Sequence, residues 1–381
     1  MSDTADVVPG WRGGWLNRLI ARPGFQSWAS RFPLTRGQTR KDGAALFDIV
    51  QGFVRSQVLM ALVELDILRR LRVGPQSAEA LGRATDVPAD RMQVLLQAAA
   101  ALGLLKRNRA GRFRLARKGA ALMGVPGLDA MIRHHRAFYA DLADPVGLLR
   151  GPAQTELAAF WPYVFGAGSD IDPATAETYS DLMAQSQRLV AEDTLRRVSL
   201  KETRCLLDVG GGTGAFLEAA GRSAPRLRMM LFDLPQVLEP AQSRFEAAGM
   251  GDRVSIHAGS FRDDPLPMGA DAISLIRVLY DHSDETVRRL LTAVFDALPA
   301  GGRLIISEPM GGGASPDPAG DVYFAFYTLA MQTGRARSAA EISELCRAAG
   351  FEDIRSPRPA RTYVTRVLTA RKPAAADPES V

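Results

Sequence analysis

The run Leu206-Leu207-Asp208-Val209-Gly210-Gly211-Gly212-Thr213-Gly214 constrains this chain more than any other feature. Apolar residues that read as a buried strand stop at a cluster of glycines, and a helical pattern resumes at Ala215. Strand, glycine turn and helix in that order bring backbone N–H groups at a helix N-terminus close to a ligand, because glycine puts no side chain in the way. Downstream the texture alternates: strands are expected over 204–209, 227–232, 254–258, 272–279 and 303–308, each followed by loop or helix. Such alternation specifies a doubly wound, Rossmann-like α/β domain with a parallel sheet.

An acid ends the second strand, Asp233 in Leu231-Phe232-Asp233-Leu234-Pro235, where it can accept hydrogen bonds from ribose hydroxyls. Gly210, Gly212 and Ala215 also satisfy dinucleotide spacing, so the glycines by themselves fit both NAD and S-adenosylmethionine. Asp208 separates the two. A carboxylate just before the loop repels a pyrophosphate and attracts a ligand that carries a sulfonium and an ammonium group. S-adenosylmethionine is the expected cofactor.

The first 200 residues are helical. Phe47, Val50, Phe53, Val54, Val58 and Leu62 recur at spacings that put them on one helix face. Ser77 is placed to cap a helix over 78–84, Thr85-Asp86-Val87-Pro88 makes a turn, and a second helix is expected over 90–104. Lys106 to Arg114 then reads as a basic hairpin turning at Gly111. Helices followed by a hairpin form the winged-helix arrangement. DNA is not the expected partner, because the second helix is apolar nearly all round and Asp86 and Asp90 stand where phosphates would lie. A helix of that kind seeks burial, here against another subunit.

Charge divides the chain. Residues 1–150 hold 23 Lys and Arg against 12 Asp and Glu, whereas residues 151–381 hold 24 against 30. The segment 7–41 concentrates seven basic residues, no acid, and Trp11, Trp15 and Trp28. It reads either as an arm on an anionic membrane face or as a strap across its own or a partner's surface. No stretch approaches the roughly 20 unbroken apolar residues of a membrane-spanning helix. Two cysteines are too few for a disulfide scaffold, which fits a reducing, cytoplasmic setting. With four histidines and no cluster at ligand spacing, no metal site is expected.

The glycine run, Phe232-Asp233-Leu234-Pro235, Gly259-Ser260-Phe261, Arg277-Val278-Leu279-Tyr280-Asp281 and Gly301-Gly302-Arg303-Leu304-Ile305-Ile306-Ser307-Glu308 together resemble S-adenosylmethionine-dependent O-methyltransferases of the plant caffeic-acid type and their bacterial relatives. The resemblance covers residues 44–371. It implies a winged-helix dimerisation domain, hence a homodimer, joined to a class I methyltransferase domain. It also implies that Asp233 holds the ribose, that Ser260 and Phe261 flank the adenine, and that Gly210 and Gly212 line the methionine end. Asp208, Leu234 and Arg277 complete the expected cofactor-binding set. Many relatives carry an acid in place of Ser260.

At Tyr280 the sequence departs from the phenol-methylating relatives, which have a histidine base there followed by Asp-Trp. Their second orienting carboxylate would fall near Ala336 and is missing, so Glu308 alone matches. Loss of the base favours an aliphatic hydroxyl, which ionises late and needs positioning more than prior deprotonation. Tyr280 is expected to hydrogen-bond that hydroxyl. His134 and His135 are the candidate bases, and being about 100° apart on a helix, at most one should face the cleft. His282 is expected to buttress the loop and His257 to be structural. Phe160-Trp161-Pro162-Tyr163-Val164-Phe165 and the aromatics from Tyr323 to Tyr327 suggest a large apolar pocket.

Within the bacterial relatives, the runs His134 to Leu142 and Arg277 to His282 resemble the carotenoid hydroxyl methyltransferases of purple phototrophic bacteria. That likeness implies methylation of the tertiary hydroxyl of an acyclic hydroxycarotenoid, by a cytoplasmic protein that touches the inner or photosynthetic membrane. The alternatives are a methyltransferase for another lipophilic pigment, quinone or phenol, and a winged-helix regulator that senses a ligand. The expected division is an arm over 1–43, the winged helix over 44–124, a helical linker over 125–200, the methyltransferase domain over 201–372 and a tail over 373–381.

Overall fold

The computed structural model describes residues 14–151, 154–160, 186–361 and 363–374, and two compact units, Met1–Ala121 and Leu122–Val381, divide the chain. Trp11, most of the aromatic run at 160–165 and the end of the tail lie outside the described residues.

The first unit is helical apart from one hairpin. Ser77 Oγ accepts the Ala80 N–H and starts the helix Ala78–Thr85. Asp86, in the left-handed region at φ 54°, turns the chain into the helix Ala89–Ala101. The hairpin pairs β1 (Leu105–Arg107) with β2 (Phe113–Leu115), antiparallel. Leu62, Ile67, Leu81, Met92, Leu96, Leu105 and Phe113 form the interior. Met92, Leu96 and Ala99 of the second helix are therefore buried within their own unit, while Val94 is exposed.

The single amphipathic face expected from Phe47 to Leu62 is not what forms. The chain breaks between the helices Arg36–Val50 and Gly52–Glu64 with a bend of 50°. Gly52, a poor helix former, opens the second helix at the bend. Only Leu62 of the six expected residues is in the core. Phe47, Val50, Phe53 and Val54 are exposed, as are Leu46 and Ile49 beside them. No single helix among the described residues is long and apolar enough to cross a membrane, although this bent pair passes by length and composition.

The second unit is built on a seven-stranded sheet: β3 (Cys205–Val209), β4 (Arg228–Asp233), β5 (Val254–Ala258), β6 (Ala272–Ile276), β7 (Arg303–Glu308), β8 (Glu352–Arg355) and β9 (Arg366–Arg371). Its spatial order is β5-β4-β3-β6-β7-β9-β8. The first five of these are parallel, and β9 runs antiparallel to β7 and β8. The last two strands were not among those expected from sequence. The expected strand 272–279 stops at Ile276, because Arg277 takes a positive φ of 60° and Leu279–Asp281 winds into a 3-10 turn. Apolar residues pack on both faces, with Leu207, Ile273 and Leu304 on one and Leu206, Ala272 and Ile305 on the other. The chain leaves β3 towards β4 and β5 and returns to β6 on the other side. The crevice at the carboxyl ends of β3 and β6 is thus the switch point where such sheets take ligands.

Candidate active site

Two loops meet at that crevice. Gly210, Gly212 and Gly214 all have positive φ, at 69°, 56° and 76°. A Cβ on Gly210 would sit 2.9 Å from Val278 Cγ2 of the loop after β6, so glycine lets the two loops touch. A Cβ on Gly212 would meet nothing within 4 Å. Glycine there leaves an open face to which a ligand can approach the backbone.

Two buried carboxyls underlie the cradle. Ser274 Oγ donates to Asp208 Oδ1 at 2.6 Å, while Asp208 Oδ2 is buried without a hydrogen-bond partner. Burial raises the Asp208 carboxyl to about 7, with Asp233 nearby adding to the effect. Asp233 accepts the Gly212 N–H at 2.6 Å and the Leu234 N–H at 2.7 Å, one on each oxygen. Burial raises Asp233 to about 6 against the lowering by those two bonds. Each oxygen of Asp233 keeps a lone pair for a further donor such as a ribose hydroxyl. An orphaned acid oxygen under Gly211, next to the open face of Gly212, fits a ligand with cationic groups. These residues therefore fit S-adenosylmethionine.

Ser260 and Phe261 follow β5. Ser260 is engaged in its own turn: its Oγ donates to Asp263 at 3.0 Å and accepts the Arg262 N–H, and its N–H goes to Asp264. Phe261 stands edge-on to His282 at 5.1 Å. Close by, a cavity of 520 Å³ opens beside Phe232 and Ala258 and does not include the glycine loop. His257 lies on β5 with its ring bonded to Ser255 Oγ.

The loop carrying Tyr280 is held by its backbone. Glu308, fully buried at the end of β7, accepts the N–H groups of Val278 and Leu279 at 2.8 Å each and of Tyr280 at 3.3 Å. Burial pushes its carboxyl up to about 7. The carboxyl at the place that matches the phenol-methylating relatives thus accepts three amides of this loop. Arg337, the largest fully buried side chain among the described residues, donates to the carbonyls of Leu279 at 2.7 Å and His282 at 2.8 Å. Thr333 Oγ1 donates to the carbonyl of Asp281 at 2.8 Å. His282 receives Arg262 on Nδ1 at 3.0 Å and is held near 3 by burial, hence neutral. Sequence reasoning did not single out Arg337 or Thr333. An Arg-x-Arg pair after a glycine gave no sign of which arginine would be inside.

Tyr280 is buried and faces Phe324 edge-on at 6.2 Å. Its neighbour Asp281 is pushed well above the carboxylate range by burial, then by Glu308. Arg277 takes its strained φ at the end of β6, donates its N–H to the Ser307 carbonyl and reaches Ser186 Oγ at 2.8 Å.

The two adjacent histidines each meet a tyrosine hydroxyl. His134 Nε2 lies 2.8 Å from Tyr327 Oη, and His135 Nε2 lies 2.6 Å from Tyr323 Oη. The helix Leu128–Asp141 lies against the segment 318–331, and both rings can reach tyrosines one turn apart on that segment. Burial lowers both imidazoles, His134 to about 4. Among the described residues no group of three or more His, Cys, Asp or Glu could hold a metal.

Residues 139–352 match the O-methyltransferase domain family, and residues 47–124 match the O-methyltransferase dimerisation domain. The chain belongs to the O-methyltransferase family. It is 57% identical to demethylspheroidene O-methyltransferase of Cereibacter sphaeroides, over 93% of this chain and 94% of that one. It is 51% identical to the enzyme of the same name from Rhodobacter capsulatus, over 97% of this chain and 92% of that one. Among solved structures, the SAH-bound CalO1, a methyltransferase in calicheamicin biosynthesis, is similar with a TM-score of 0.72 and 27% identity, covering 88% of this chain and 98% of that chain. Every O-methyltransferase needs an acceptor oxygen aligned with a methyl donor and shielded from water.

Proposed function

We propose that the chain transfers a methyl group from S-adenosylmethionine to the tertiary hydroxyl of an acyclic hydroxycarotenoid, within spheroidene-type carotenoid biosynthesis. The observation that carries the reading is the identity of 57% to a demethylspheroidene O-methyltransferase along nearly the whole chain, on a crevice with no histidine at Tyr280. The cofactor supplies an electrophilic methyl group. Gly210 and Gly212 line its methionine end, with Asp208 below them. Asp233 and Leu234 hold the ribose, Ser260 and Phe261 flank the adenine, and Arg277 closes the crevice from the β6 side. Tyr280 orients the acceptor hydroxyl, and Glu308 orients Tyr280 through the backbone. The aromatic face formed by Phe138, Tyr323 and Phe324 supports an apolar acceptor.

The helices and hairpin of the first unit act as a winged-helix dimerisation domain over 44–124. The exposed apolar residues from Leu46 to Val54 are the surface a second copy covers. The basic arm over 1–43, with Trp15 and Trp28 exposed, gives peripheral contact with an anionic membrane where the substrate resides. A linker over 125–200 contributes to the pocket, and 201–372 is the methyltransferase domain.

The test is purified protein with methyl-labelled S-adenosylmethionine and a choice of acceptors. Label is expected in a 1-hydroxy acyclic carotenoid and not in caffeic acid; label in the phenol alone overturns the substrate.

A further inference from the structure

The two histidine–tyrosine pairs share one apolar cluster and differ in their route to the Tyr280 loop. Tyr327 is buried among Phe138, Leu148, Leu157 and Met331, and Tyr323 packs against the same cluster from a π-helical turn, Pro318–Phe324, that precedes the helix Ala325–Met331. Such turns are rare and recur at functional sites. The Tyr323 ring meets Phe324 edge-on at 4.9 Å, and Phe324 in turn meets Tyr280. Arg277, on the loop that abuts Gly210, acts electrostatically on the Tyr323 phenol. His135 is thus joined through Tyr323 and Phe324 to the Tyr280 loop, whereas His134 reaches it one ring further away, through Tyr327, which stacks on Tyr323 at 5.9 Å.

We propose that Tyr323 is a catalytic residue that receives the proton of the acceptor hydroxyl, and that His135 is the positioning residue that holds Tyr323 and takes its phenolic proton. The proposal rests on the aliphatic-hydroxyl reading above. As the acceptor oxygen bonds the methyl carbon, the methyl–sulfur bond of the sulfonium donor breaks with its electron pair left on sulfur, a neutral thioether leaves, and the acceptor O–H bond breaks with its pair left on oxygen. The proton goes to Tyr323 Oη, the phenolic proton goes to His135 Nε2, and the imidazolium then releases a proton to water. A methylated alcohol oxygen that still carries its proton is a strong acid. The relay therefore needs a lone pair in place rather than a strong base. Burial suits both partners: it keeps the imidazole neutral, and it raises the phenol so that Tyr323 relays as a hydroxyl. The other titratable or charged groups acting on the pair are His134 and Tyr139 on the same helix and Arg277 across from it.

The experiment compares full-length Tyr323→Phe and His135→Gln with the parent protein. Tyr323→Phe keeps the ring and its packing, so kcat should fall about tenfold or more while cofactor Kd stays unchanged. Without any substrate, ¹⁵N-histidine NMR on the four histidines should show the His135 titration move in Tyr323→Phe, and the acid limb of the kcat profile should track that titration and vanish in His135→Gln. Parent-like kcat and an unmoved acid limb in Tyr323→Phe overturn the relay. If the parent methylates only a phenol, the hydroxycarotenoid reading fails, and the same comparison on that phenol decides the relay separately.

Discussion

The buried guanidinium of Arg337 grips Asp284 through two hydrogen bonds, 2.8 Å from Nε and 2.6 Å from Nη2, both to Oδ1. The same guanidinium donates to the carbonyls on either side of the Tyr280 turn. With Glu308 holding the amides of that turn and Arg337 its carbonyls, few of its peptide groups are left to move. A Cβ on Gly334 would also strike the Tyr280 carbonyl, so the two segments lie in direct contact.

Arg337→Lys should therefore cost stability and rate together. An ammonium cannot reproduce a fork that reaches one carboxylate and two carbonyls. The expected loss is about 2–3 kcal/mol, reduced from a fully buried pair because Asp284 is partly exposed. Urea unfolding measures it; a loss under about 0.5 kcal/mol would show the clamp to be dispensable.

Tyr280→Phe should lower kcat more than it changes cofactor affinity, because the glycine cradle and Asp233 are untouched. Glu308→Gln should show the same split, since it turns an amide N–H₂ towards one of the backbone N–H groups now accepted by the carboxylate. Calorimetry beside single-turnover rates makes the comparison. A parent-like rate in Tyr280→Phe would leave the hydroxyl with a packing role only.

Asp233→Ala should weaken cofactor binding by about tenfold or more, since a charge-assisted acceptor is worth about 1.5–3 kcal/mol. It also frees the Gly212 N–H, so some of the loss reflects a looser cradle. Unchanged affinity by calorimetry would remove Asp233 from the ribose.

The buried acids set a pH dependence. Asp208 and Asp233 have carboxyls raised from 3.8 to about 7 and about 6, first of all by burial. A raised carboxyl contributes stability in full below its ordinary value and loses it as pH rises through the folded-state value. The ligand-free protein should accordingly lose stability between about pH 4 and 7 from these two groups. A cationic cofactor prefers the ionised acids, so its affinity should rise from about pH 5.5 to 8, and Asp208→Asn should flatten that rise. Calorimetry at three pH values tests the sign, and affinity that falls with pH would contradict it.

Legibility from sequence followed the range of the interactions. The helix Ala78–Thr85 with its Ser77 cap, the Asp86 turn, the basic hairpin and the first five strands of the sheet were readable, because each rests on neighbours within a few residues. The glycine loop with Asp208 and Asp233 was readable for the same reason. β8 and β9 were missed, and so was the break at Gln51. β9 gains its place from β7, far back in the chain, and the edge strand β8 gains its place from β9, while a helix bend is decided by what packs on either side.

What the sequence determined by itself was the α/β class, the switch point and the charge of the ligand it suits, since periodicity, glycine and one acid before the loop are local and chemically unambiguous. What only the tertiary structure decided was the fate of long-range polar groups. It turned Glu308 towards three amides, buried Arg337 under the Tyr280 loop and brought His134 and His135 onto tyrosines 193 and 188 residues away. A buried hydrogen-bonding group takes whichever partner folding brings within 3 Å, and no pattern of neighbours in the chain names that partner in advance.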